Sequence, residues 1–165
     1  MGLFSKNQSE KQRGKTLAEL KLEKIITRVF GDDLEEKYLD KSDGFYNWNY
    51  IHESTRVTAH ISKDLGSEDN PIIRVFCPCV MGARDDDKLY RYLMTGCERS
   101  IFSQFRVFDG EEKGTVNVHV EMYLSLNTVS DDDFETTYIA VARSSNDNDD
   151  EIVKRFGGET WEEWY

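Results

Sequence analysis

The chain has 165 residues and a mass of 19.2 kDa, with 32 Asp and Glu against 21 Lys and Arg for a net charge of −11. That length is one domain's worth, and the 38% hydrophobic and 12% aromatic content excludes an acidic disordered chain. A pI near 4.7 excludes general binding to nucleic-acid phosphates or anionic lipid, because the long-range field repels both.

Residues 1–14 are polar and aperiodic, which predicts a disordered lead-in ahead of a single domain over 15–158. No apolar run is long enough to cross a membrane, and the first residues lack the apolar segment of a secretory signal. Gly2 is followed by Lys6 where a myristoylation signal needs Ser or Thr. Three cysteines make no disulfide framework, so a reduced, cytoplasmic protein is expected. Charge is uneven: residues 1–30 carry +4 and the rest −15. A basic first helix lying against an acidic body accounts for that asymmetry, and a partner-binding tail is the alternative.

Thr16 and Glu19 form a capping box for a helix carrying Leu17, Leu20, Leu22, Ile25, Ile26 and Val29, stopped at Gly31. A short second helix is possible over Asp32–Leu39. Tyr46, Trp48 and Tyr50 then alternate with polar residues as an aromatic strand, and Val57, Ala59 and Ile61 form a strand with one wet face. Ile72–Val80 is apolar on both faces apart from Arg74. Asp85–Asp87 open a second helix bearing Leu89, Tyr92, Leu93, Gly96, Cys97 and Ile101. Gln104–Phe108 and Thr115–Leu126 read as strands, the second alternating strictly. Ser130 and Asp133 cap a final helix, and the apolar-free tract Ser144–Glu151 is expected to break it at a solvated acidic loop before Ile152 and Phe156, the alternative being one long helix that crosses solvent there. Residues 159–165 form an acidic-aromatic tail. This order, α-β-β-β-α-β-β-α, predicts an α+β two-layer sandwich: an antiparallel sheet with helices on one face and the other left to water or a partner.

Cys77 and Cys79, joined by Cys97 and one histidine, are the candidate zinc ligands, but the spacing is not that of a zinc knuckle and all three fall on apolar faces. No metal or other cofactor is expected. Asp147–Glu151 fails as a calcium loop, because Ile152 stands where the sharp turn needs Gly. No catalytic fingerprint occurs. His60 and His119 share polar strand faces and supply the residues for an alternative, a small enzyme. Tyr46, Trp48 and Tyr50 either face the core or make an exposed patch for a partner. Trp161 and Trp164 of the tail either dock on the body or serve as a recognition segment.

The element order, Leu89-x-x-x-Leu93, Phe105-x-x-Phe108-Asp109-Gly110, the alternating strand 115–126 and the Ser130–Phe134 helix start are similar in pattern to the YbjN-like proteins. These bacterial proteins share the fold of class I type III secretion chaperones, and the resemblance covers residues 16–157. It implies a small acidic homodimer that binds an extended segment of a protein partner, has no catalytic residues, and belongs with sensory or motility regulators. The resulting expectation is a non-enzymatic chaperone-like or regulatory adaptor, with neither nucleic acid nor membrane as partner. An acidic mimic of nucleic acid that inhibits a DNA-binding protein is the second alternative, motivated by the −15 over residues 31–165.

Overall fold

The computed structural model describes residues 13–31, 35–39, 44–53, 55–97 and 103–161. Helix α1 (Leu17–Phe30) leads into four strands, β1 (Glu35–Leu39), β2 (Phe45–His52), β3 (Thr55–Gly66) and β4 (Pro71–Arg84). Helix α2 (Asp87–Thr95), strands β5 (Gln104–Asp109) and β6 (Thr115–Ser125), helices α3 (Asp131–Asn146) and α4 (Asp149–Phe156), and strand β7 (Glu159–Thr160) follow. The strands form one antiparallel sheet in the order β1-β2-β3-β4-β6-β5, with β7 paired to β4. Helices cover one face of it, the expected α+β arrangement. No helix among the described residues is long and apolar enough to cross a membrane.

Both capping boxes form. Thr16 Oγ1 accepts the Glu19 N–H and the Glu19 carboxylate accepts the Thr16 N–H, and Ser130 and Asp133 repeat the exchange at α3. Three cations of the basic start lie on acidic partners within the molecule. Arg13 pairs with Glu19, Lys15 with Glu23 and Glu36, and Arg28 with Asp131. Arg13 therefore belongs to the fold rather than to a lead-in; residues 1–12 of that lead-in lie outside the described residues.

Three expectations need correction. The possible helix over Asp32–Leu39 is instead edge strand β1, in register with β2 from Glu35↔Asn49 to Leu39↔Phe45, while residues 32–34 lie outside the described residues. Its charged positions conceal the strand period, as edge strands commonly do; Glu35 and Glu36 are held by Arg56 and Lys15. On α1, Leu17 and Leu20 point to solvent at 81% and 40% exposure, and the core stripe runs through Leu22, Ile25 and Ile26. Helix α2 ends at Thr95, before Cys97, and Ile101 lies outside the described residues.

The final helix breaks at Asp147–Asn148, as its apolar-free tract predicts. The tract is not solvated, however. Ser144, Ser145 and Asn148 are buried, with Ser144 Oγ 2.8 Å from Ser103 Oγ and Asn148 Nδ2 donating to Ser144 O at 2.8 Å. Small polar side chains bring the end of α3 close to β4, where Cys79 Sγ meets Ser145 O at 3.6 Å.

Strand β7 starts the segment that was expected to be a tail. Gly157 and Gly158, at φ of 74° and 88°, turn the chain from α4 into the sheet. A Cβ at Gly158 would lie 2.5 Å from Met81 O and 2.8 Å from Ala83 N, so both the left-handed backbone and the close approach require glycine. Gly158→Ala is expected to cost about 2–3 kcal/mol and to strip hydrogen-exchange protection from β7 before the rest of the sheet. Unchanged stability by chemical denaturation would contradict this packing.

Candidate functional site

Strand alternation sorts the side chains. On the helix side, Trp48, Ala59, Val75 and Met122 stand in one row across β2, β3, β4 and β6, and Cys77 and Val120 lie in the next. Tyr46 and Trp48 are 4% and 2% exposed, and the Tyr50 ring stacks on Phe30 at 5.0 Å. These three rings are core residues on the helix-covered face, which corrects their candidacy as a partner-binding patch. Trp161 is half-buried beside Thr55, Pro78 and Asn146 at the β7 end of the sheet. Trp164 lies outside the described residues.

Cys77 and Cys79 are buried in the core. Burial pushes the Cys77 thiol up to about 12 and the Cys79 thiol well above its usual value, so both are held as neutral thiols. No group of three or more His, Cys, Asp or Glu side chains with metal-site geometry occurs among the described residues.

The open face of the sheet is built from the complementary set of residues. The row Asn49–Thr58–Phe76–Glu121–Gln104 crosses β2, β3, β4, β6 and β5. Beside it stand His60–Arg74–Tyr123 on one side and Pro78–His119–Arg106 on the other. At the centre Glu121 is fully buried. Its Oε2 accepts from Arg74 Nε at 2.8 Å and faces Arg74 Nη2 at 2.7 Å; its Oε1 accepts from Arg106 Nη1 at 3.1 Å and from Tyr123 OH at 3.0 Å. A carboxylate offers about four lone-pair sites, and three of them accept these hydrogen bonds while Arg74 Nη2 adds an ion contact.

Aromatic rings cover this polar layer. Phe45 packs on His60 at 5.2 Å, His60 on Phe76 at 5.5 Å, Phe76 on His119 at 5.9 Å and Phe108 on His119 at 4.8 Å. Arg74 lies over the Phe76 ring at 4.4 Å, Arg106 over Phe108 at 5.1 Å and Lys63 over Phe45 at 5.2 Å. Between these groups opens a cleft of about 340 Å³ lined by Phe45, Lys63, Arg74, Arg106, Phe108 and Tyr123, among others. An otherwise acidic chain has gathered three cations on one aromatic-walled surface.

His60 and His119 do not approach each other as an acid–base pair. Strand β4 runs between them, and each ring packs on Phe76. Burial, reinforced by the positive charge of Arg74, lowers both to about 4. Lys63 adds to this for His60 and Arg106 for His119, while Glu121 opposes it at both. His60 Nδ1 sits 2.9 Å from Asn47 Oδ1, whereas His119 Nδ1 is buried with no hydrogen-bond partner.

Periodicity did not reveal this cluster, because Phe45 and Phe108 stand among the polar positions of their strands and Phe76 lies in a strand that reads as apolar on both faces. Arg74 was the available signal: a guanidinium in an otherwise apolar strand calls for a carboxylate within reach, and Glu121 is the acid on the polar face of the neighbouring strand, two residues from Tyr123, which stands opposite Arg74. Compared with protein-family models and with curated protein sequences, the chain matches none.

Proposed function

We propose that this protein is a non-enzymatic adaptor that binds an extended segment of a protein partner across the open face of its sheet. The observation that carries the proposal is the cleft of about 340 Å³ on that face, walled by Phe45 and Phe108 and edged by Lys63, Arg74 and Arg106. An extended peptide can place alternate side chains on such a surface. The pattern-level resemblance to YbjN-like proteins supports the same role, and with it a homodimer; solvent-facing Leu17 and Leu20 offer apolar surface for the second copy. A scattering mass near 19.2 kDa at all concentrations would remove the dimer from the proposal.

Two features favour an adaptor over a small enzyme using His60 and His119. Both rings stay neutral down to about pH 4, far from the range useful for general acid–base work near neutrality, and Phe76 separates them. The nucleic-acid mimic fares less well because two groups of three carboxylates, Asp131–Asp133 and Asp149–Glu151, are placed as helix first-turn charges rather than along one strip. Panning a random dodecapeptide library against the folded protein tests the adaptor. Enriched peptides are expected to shift the backbone amide signals of β3, β4, β5 and β6. Failure to enrich any sequence, or shifts confined to the helices, would overturn it.

A further inference from the structure

We infer that the open-face cleft recognises a single carboxylate, the Asp or Glu side chain of a partner segment, seated against Arg106, Arg74 and Lys63 with an apolar or aromatic neighbour against Phe45 and Phe108. The inference rests on the adaptor proposal and adds the chemistry that the site selects.

Charge and donor geometry set the class. Glu121 is committed within the cluster, because two guanidiniums and the Tyr123 hydroxyl engage both of its oxygens. The guanidiniums are not correspondingly filled. Arg74 Nη1 and Arg106 Nε and Nη2 have no protein partner among the described residues, and the Arg106 side chain is 51% exposed. Both guanidiniums are held in place, Arg74 by two contacts to Glu121 and the Phe76 ring, Arg106 by Glu121, Tyr123 OH at 2.7 Å and the Phe108 ring. Oriented guanidinium donors of this kind match the planar fork of a carboxylate.

The charge balance favours a monoanion over a dianion. Lys63, Arg74 and Arg106 contribute three positive charges to the cleft, Glu121 and Asp64 remove two, and His60 is neutral. One carboxylate neutralises the remainder, whereas a phosphate dianion would leave a negative excess beside Glu121. The −11 of the whole chain also disfavours a long acidic tract, since its field acts on every charge within about 8–10 Å of the surface. Ile61 and Leu65 complete an apolar margin to the cleft, which suits an aromatic or aliphatic residue next to the acid.

The test uses the full chain and three N-acetylated, C-amidated hexapeptides, Ser-Ala-Xaa-Phe-Ala-Ser, with Glu, Gln or phosphoserine at Xaa, titrated by NMR. The Glu peptide is expected to bind about tenfold or more tightly than the Gln peptide and to exceed the phosphoserine peptide, with shifts at the Arg106 Nε–H and the Phe108 ring. In Arg106→Gln the Gln peptide should keep its affinity while the Glu preference disappears. Lys63→Gln, which leaves the Glu121 cluster intact, should weaken the preference independently and guards against misfolding of the first variant. Equal binding of Glu and Gln peptides, or a preference for phosphoserine, overturns the carboxylate site while leaving the adaptor proposal standing. If none of the three peptides binds while dodecapeptides from the panning shift the same strands, the carboxylate site alone fails; if those fail as well, both proposals fall.

Discussion

Glu121→Gln is expected to destabilise the protein by about 3–5 kcal/mol, the cost of removing one partner from a buried ion pair. The carboxylate is fully buried and faces the guanidiniums of Arg74 and Arg106. A Gln keeps one acceptor but turns an NH₂ toward positive donors, leaving Arg74, whose side chain is 20% exposed, without its counter-charge. The loss should not measure the net worth of the cluster. Replacing Glu121 by Leu together with Arg74 by Met is expected to recover most of it, because no buried charge then remains unpaired and Arg106 can turn to water. Chemical denaturation of Glu121→Leu, Arg74→Met and the double variant supplies the cycle, with Glu121→Gln measured beside them. A Glu121→Gln loss below about 1 kcal/mol, the level of exposed pairs, would show that the cluster is solvated in solution.

Acid should weaken the fold well before most carboxylates titrate. His60 and His119 have folded values of about 4 against an ordinary 6.5, so the unfolded chain takes up their protons first. Their neutral-state stability is fully present above pH 6.5 and is lost as the pH falls toward 4. Between pH 7 and 5 the expected cost is on the order of 1–2 kcal/mol for each ring. Asp149 works in the opposite direction: burial raises it to about 6, so the native state gains its proton over the same range and offsets part of the loss. Glu19, held near 2 despite burial by Arg13 and the Thr16 hydrogen bonds, acts only below pH 4.5. Urea titrations at a series of pH values check the slope. His119→Phe isolates one ring. Because Nδ1 has no partner and the ring stacks on Phe76, this variant should match or exceed the native stability at pH 7 and lose about half of the acid sensitivity. An unchanged slope in His119→Phe would show that this ring is already protonated, or freely hydrated, in the native state.

Much of the architecture is legible in local chemistry. Capping boxes at Thr16 and Ser130 announce helices because the same short-range hydrogen bonds form whatever surrounds them. Thr115–Leu126 announces a strand because one face is wholly apolar. Local pattern fails where neighbours dominate. Edge strand β1 is stabilised by cross-strand pairing and by ion pairs to Arg56 and Lys15, contributions that no five-residue window contains. Ser144, Ser145 and Asn148 look like loop residues, yet they are buried because small side chains let α3 approach β4 and Ser103.

The candidate site depends still more on distant neighbours. Alternation correctly separates Arg74, His60, His119 and Glu121 from the apolar face but cannot say which of them meet. That depends on the strand order β3-β4-β6-β5 and its register, which bring Arg74 and Glu121 together across 47 residues and Arg106 to the same carboxylate from the other side. Alternation also cannot decide which face of Tyr46, Trp48 and Tyr50 is covered, because that requires knowing where α1 and α3 pack.

Composition and charge by themselves determined an acidic chain with a basic first thirty residues, and short-range patterning determined an α+β fold, since these follow from sums and from interactions a few residues apart. Tertiary structure alone decided how that charge is used. Arg13, Lys15 and Arg28 of the basic start are paired within the molecule to Glu19, Glu36 and Asp131, while Lys63, Arg74 and Arg106 converge on one face of an acidic body. Net charge is additive along the chain, but the field at a binding surface falls with distance, so only folding can place two guanidiniums around one buried carboxylate and a lysine beside the same cleft.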